Sequence, residues 1–182
     1  PDTDSVVSAI VCASLLNKKN DSKKFVGTRA GDINKETEYI LSRFEHVIPE
    51  LLPQTDESIV LVDHNEESQR LEHISESQIV AIFDHHKVGT LNTGKPITMI
   101  FKPLGSTATL IAEYAQQNGL EINEKEASLI ISAIVSDTLN LSSPTTTEID
   151  RRILEDLNKI AKLDIEELAS GMFAAKSDIS GL

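Results

Sequence analysis

The 182-residue chain has a single cysteine, Cys12, so it can form no intrachain disulfide. That suits a reducing compartment, and a cytoplasmic location is expected. No apolar run approaches the roughly 20 residues needed to cross a bilayer, and no basic-then-apolar leader opens the chain. Positive charge is also scarce. Lys and Arg total 17 against 29 Asp and Glu, a formal net charge of −12. So acidic a surface repels a phosphate backbone, which disfavours broad nucleic-acid binding. A small anionic substrate would meet the same repulsion unless bound cations reversed the local field.

What is present is a globular composition, 40% hydrophobic and 25% charged, long enough for one domain with its own core. The chain begins Pro1-Asp2-Thr3-Asp4 without an initiator methionine or a leading strand. It ends in the small, polar stretch 177–182, which reads as the start of a linker. A piece of a longer protein is therefore expected, with residues 1–176 as its domain.

Apolar spacing predicts a helix over 5–18, capped by Asp4 or Ser5, and another over 34–44, capped by Asn34. Phe25 and Val26 suggest a short strand. Two continuous apolar runs, Ile59 to Val62 and Ile79 to Phe83, read as strands buried on both faces, with a helix between them from Glu66 to Ile74. A further strand is predicted over 97–101. Gly105-Ser106-Thr107 opens a helix that Gly119 stops, and helices follow at about 124–136, 146–161 and 164–174. The alternation predicts an α/β domain, a mostly parallel sheet flanked by helices on both faces.

Ligands of such sheets bind beyond the carboxyl ends of the strands. Here those ends carry acids and imidazoles: Asp63-His64 after one strand and Asp84-His85-His86 after the next. Asp2 and Asp4, two residues apart, point the same way if that segment is extended. Asp137 closes the apolar run Leu129 to Ser136. Singly, each has a plainer reading: helix caps for Asp2 and Asp4, a turn residue for Asp63, a polar corner for His85 and His86, a helix end for Asp137. His64 reads as a supporting or a surface residue, and His46 and His73 lie on polar segments with no role assigned. Gly105-Ser106-Thr107 is a helix start that favours anions. Together, several carboxylates in one place cost Coulomb energy unless cations neutralise them. Carboxylate and imidazole without thiolate suit Mn, Co, Fe or Mg. A carboxylate bridging two ions sets them about 3.5–4 Å apart, the spacing of two-metal phosphoryl-transfer sites.

Asp84-His85-His86 is the tripeptide that names the DHH phosphoesterases. The other motifs of that superfamily follow in order: Pro1-Asp2-Thr3-Asp4-Ser5, Val62-Asp63-His64-Asn65-Glu66, Gly105-Ser106-Thr107-Ala108-Thr109 and Ser136-Asp137-Thr138. Within it the chain resembles the family II, manganese-dependent inorganic pyrophosphatases, on Pro-Asp-Thr-Asp at its start, Asp-His-Asn-Glu at 63–66, Ser143-Pro144-Thr145-Thr146-Thr147, and Asn34, Glu36 and Thr37. The resemblance implies hydrolysis of pyrophosphate to two phosphates by a bridging water activated by two Mn2+ ions, with Co2+ or Mg2+ as substitutes. It implies Asp2 as a ligand of one ion, Asp63 as the bridge, and Asp4, His85 and Asp137 around the other. His86 would face the substrate phosphate, and Asp84 would orient a histidine. It further implies a basic carboxy-terminal substrate-binding domain, a histidine three places before Pro1, and a homodimer. The alternatives are an exopolyphosphatase or prune-like enzyme, a nucleotide phosphodiesterase of the same superfamily, and a regulatory homologue without activity.

Overall fold

A computed structural model describes residues 1–178; of the predicted linker 177–182, Ser177 ends the last helix and residues 179–182 lie outside the described residues. Among the described residues, six α-helices and three strands follow in the order α1 (Thr3–Lys19), α2 (Lys35–Arg43), β1 (Ile59–Val62), β2 (Ile79–Asp84), β3 (Thr98–Phe101), α3 (Thr107–Gln117), α4 (Glu124–Asp137), α5 (Glu148–Ala161) and α6 (Ile165–Ser177). The sheet is parallel, in the order β1-β2-β3, and the domain is α/β as predicted.

α4 explains why the sequence folds around a centre. Its residues Ala127 to Ser136 are all buried, so it is wrapped on every side, by α1, α3, α5 and α6. Isoleucines 130, 131 and 134 sit at the middle of the main core. The alternating side chains of the strands divide between two clusters. Val60, Val62, Ala81, Phe83 and Ile100 face the helical core. Leu61, Ile79 and Ile82 form a smaller cluster on the other side, with Ile59, Leu91, Ile97 and Phe101.

Caps set most helix boundaries near where the sequence places them. Asn34, Ser106, Asn123, Thr147 and Asp164 each accept a backbone N–H from the first turn. Gly119 takes φ +65°, the left-handed conformation that ends α3.

Three expectations are corrected. α1 starts earlier than predicted and its cap is Asp2, whose Oδ1 accepts from the Ser5 N–H at 2.9 Å; Asp4 lies inside the first turn. The two acids therefore do not share one extended segment. Phe25 and Val26 form no strand. The side-chain amide of Asn17 accepts from the Phe25 N–H and donates to its carbonyl, taking the part a neighbouring strand would play. This segment presses on α1 so closely that a Cβ on Gly27 would lie 2.8 Å from the Ala9 carbonyl oxygen. The predicted helix over 66–74 is reduced to a 3-10 turn at Glu67–Gln69. Only Ile74 in that stretch is buried, so there is no apolar face to hold a helix down.

Candidate metal centre

The start of α1, the ends of β1 and β2 and the end of α4 bring acids and an imidazole to one point. Ligand atoms of Asp4, Asp63, His85 and Asp137 all lie within 4.8 Å of one another, and so do those of Asp63, His85 and His86. The two groups share Asp63 and His85. Asp63 follows β1 in the left-handed region at φ 64°, where a non-glycine residue is strained, and its N–H still reaches the Phe83 carbonyl.

His85 shows what the cluster is built for. Its Nδ1 is 2.9 Å from the Leu104 carbonyl, which can only accept, so in the neutral ring Nδ1 carries the proton and Nε2 the lone pair. Nε2 is buried with no hydrogen-bond partner among the described residues, facing Asp63 Oδ1 at 3.5 Å and Asp137 Oδ2 at 3.6 Å. A lone pair and two carboxylates facing one another have nothing to share except a proton or a cation. Burial pushes the carboxyls of Asp4, Asp63 and Asp137 above their ordinary range. For Asp63 and Asp137 the neighbouring acids, Asp4 first and then Asp2, add to this. For Asp4, His85 and the N–H groups of Thr107 and Ala108 pull the other way without prevailing. The donor set fits a hard or borderline divalent cation, with mixed carboxylate and imidazole, no thiolate, and a second row of hydrogen bonds behind the ligands.

That second row comes largely from residues the motifs contain but the sequence gives no role. Thr107 Oγ1 donates to Asp63 Oδ1 at 2.9 Å. The free N–H groups at the start of α3, on Thr107 and Ala108, donate to the two oxygens of Asp4 at 2.7 and 3.0 Å. A helix start favours an anion, and the anion this one takes is a side chain of α1. Asp150, fully buried on α5, accepts from the Gly105 N–H, Thr109 Oγ1 and Thr147, and so fixes the loop that opens α3. Asn65 donates to Asp84 Oδ2 at 2.7 Å. Asp84 Oδ1 in turn accepts from the backbone N–H of His86 at 3.1 Å and from its Nδ1 at 2.8 Å.

His86 is half-exposed and lines a cleft of about 420 Å³ that also contains Asp2, Asp63 and His64. With Nδ1 held by Asp84, its Nε2 is the ring nitrogen left for a ligand. The bond to Asp84 raises the His86 pKa above its usual value against the effect of burial. His64 is tied through Nδ1 to the Val62 carbonyl, and burial lowers its pKa. Asp2 belongs to neither ligand group. It sits at the rim as the α1 cap, close enough for its charge to raise the other acids. Beyond Asp137 the backbone turns through three successive left-handed residues, Leu139, Asn140 and Leu141, before Ser143.

A parallel sheet with acids and imidazoles gathered past its strand ends defines an α/β domain with a candidate metal centre. Residues 1–134 match the model of the DHH family, N-terminal domain, and the chain belongs to that family. Among curated relatives it is similar to the manganese-dependent inorganic pyrophosphatases of Methanothrix thermoacetophila (44% identity, 98% of this chain, 58% of the relative) and Methanocaldococcus jannaschii (42%, 100% and 60%). The crystal structure of a Methanococcus jannaschii protein assigned to the family II inorganic pyrophosphatases superposes with a TM-score of 0.88 at 42% identity, over 97% of this chain and 59% of that one. An exopolyphosphatase-related protein of Bacteroides fragilis shares the fold, with TM-score 0.71 at 15% identity over 96% of this chain and 54% of that one. The chain thus spans about three fifths of the length of the curated relatives it matches.

Proposed function

We propose that this chain carries the metal centre of a manganese-dependent inorganic pyrophosphatase, in which pyrophosphate is hydrolysed to two phosphates. The observation that carries the reading is His85 Nε2, buried without a hydrogen-bond partner among the described residues and set between two carboxylates. The names of the relatives at 42–44% identity support manganese and pyrophosphate.

In this reading Asp4, Asp63, His85 and Asp137 would hold one cation, and Asp63 and Asp2 would serve a second. The bound cations supply Lewis acidity toward phosphate oxygens and a water acidified to near neutrality. The side chains do the rest. Thr107 and the N–H groups of Thr107 and Ala108 keep Asp63 and Asp4 in place as charge builds up. Asp84 fixes the ring of His86 and favours its protonated form. His86 can then donate from Nε2 to a phosphate oxygen, a charge-assisted bond that strengthens as the oxygen becomes more negative. Asn65 holds Asp84 in place for that task. The remaining length of the relatives is proposed to supply basic groups that clamp the substrate, so this chain alone should turn over slowly. Pairing of two copies through a sheet edge and a cytoplasmic location complete the proposal.

The test is phosphate release from pyrophosphate, tripolyphosphate and a dinucleotide with Mn2+, Co2+ or Mg2+, beside Mn2+ binding followed by electron paramagnetic resonance. Mn2+ binding and preference for pyrophosphate are expected. Failure to bind Mn2+, or preference for the dinucleotide, overturns the reading.

A further inference from the structure

Glu36 lies in the first turn of α2 and is 0% exposed, an unusual place for a carboxylate. Its Oε1 accepts two short hydrogen bonds, from Thr3 Oγ1 at 2.7 Å and from Ser136 Oγ at 2.5 Å. Its Oε2 is buried and has no hydrogen-bond partner among the described residues. A cation lies 3.6 Å from that oxygen, Lys176 Nζ at the end of α6, whose side chain is 54% exposed. Half-satisfied burial of a charge is costly, and an apolar side chain would close the space between four helices more cheaply.

What the bonded oxygen holds gives the reason. Thr3 stands between Asp2 and Asp4. Ser136 directly precedes Asp137. One carboxylate oxygen therefore ties the start of α1 to the end of α4, one residue away from three acids at or beside the candidate metal centre. The Thr3 hydroxyl also contacts Thr37 Oγ1 at 3.1 Å, so α2 itself is pinned at this junction. Rotating the first turn of α1 would carry Asp4 off the Thr107 and Ala108 N–H groups. Rotating the last turn of α4 would carry Asp137 away from His85 Nε2.

We infer that Glu36 is a positioning residue for the metal-binding carboxylates, acting through Thr3 on Asp4 and through Ser136 on Asp137, with Lys176 as its counter-ion. This rests on the metal-centre reading and adds to it a residue that touches no ligand atom. Mn2+ affinity is the readout, measured by electron paramagnetic resonance on the chain and on Glu36→Ala, Glu36→Gln, Ser136→Ala and Lys176→Met, with thermal unfolding of each in the absence of metal. Loss of a hydrogen-bonding partner behind metal ligands costs roughly 10–100-fold in affinity, and that loss is expected for Glu36→Ala. Glu36→Gln keeps an acceptor for the two hydroxyls and should recover most of it. Ser136→Ala should weaken binding while the fold persists, and combined with Glu36→Ala it should add little, because both remove the same link.

A merely structural Glu36 predicts a lower unfolding temperature and unchanged Mn2+ affinity. Wild-type affinity in Ser136→Ala, or in a folded Glu36→Ala, overturns the inference. If the unaltered chain binds no Mn2+, the metal-centre reading fails first and takes this inference with it.

Discussion

Asp84 holds His86 by two bonds, one to the backbone and one to the ring, and it is completely buried while the imidazole is half in solvent. Such an anion favours the imidazolium, which is why His86 titrates above 6.5. In the metal-free chain, Asp84→Asn should bring that titration down toward 6.5, measured by NMR of the ring protons. The sign for stability follows from the raised folded value. The His86–Asp84 contribution is present below the unfolded pKa of 6.5 and fades as pH rises through the folded one. Asp84→Asn should therefore destabilise the chain more at pH 6 than at pH 9. At the cluster beside it, Asp63 and Asp137 hold protons more tightly than ordinary carboxyls, so a cation must displace them. Apparent Mn2+ affinity should rise between pH 6 and pH 9, as calorimetric titrations in that range would show. A flat profile would mean the acids are already ionised without metal.

The helices are held to one another by a few long-range polar ties as well as by the core. Lys18 of α1 reaches Glu126 at the start of α4 with contacts of 2.6 and 2.8 Å, and Ser14 adds a third at 2.6 Å. Burial would raise the Glu126 pKa, but the bonds from Lys18, Ser14 and the Asn123 N–H hold it below its ordinary 4.5. Because the folded value is lowered, this stabilisation is present above pH 4.5 and lost as pH falls through the folded value. Lys18→Met should cost about 1–2 kcal/mol at pH 7 and much less near pH 3, by urea unfolding. Ile130→Ala, in the fully buried middle of α4, should cost about 2–5 kcal/mol at either pH. Elements of this kind were legible in the sequence. The apolar middle of α4, two apolar strands and an acid at the end of each follow from periodicity and run length. The polar ties are harder to see. Asp150, Thr107 and Glu36 look like ordinary cap or first-turn residues until tertiary contact reveals what they hold. Asp2 and Asp4 illustrate the reverse error, since either could cap α1 and only the demand of α3 for an anion decides between them.

At the scale of the molecule, β1 and β3 are both edge strands among the described residues. The outer side of β1 borders a cleft of about 820 Å³ lined by Cys12, Leu16, Val26 and Leu61 among others. Unpaired strand edges invite pairing with another chain. Concentration-dependent association is expected for this chain, and light scattering across a dilution series would detect it. Cys12 takes no part, since burial pushes its thiol up to about 12. Binding Mn2+ should raise the unfolding free energy by about 2.7 kcal/mol at a free concentration 100 times the dissociation constant, as for any ligand of the folded state alone. The turn Leu139-Asn140-Leu141 has a consequence of its own. For three residues an L-peptide there follows the path natural to its mirror image, at a cost of roughly 1–2 kcal/mol each. Chemical synthesis with D-leucine at position 139 should therefore yield a chain that melts at a higher temperature. Nature can approach that inverted stereochemistry only through glycine.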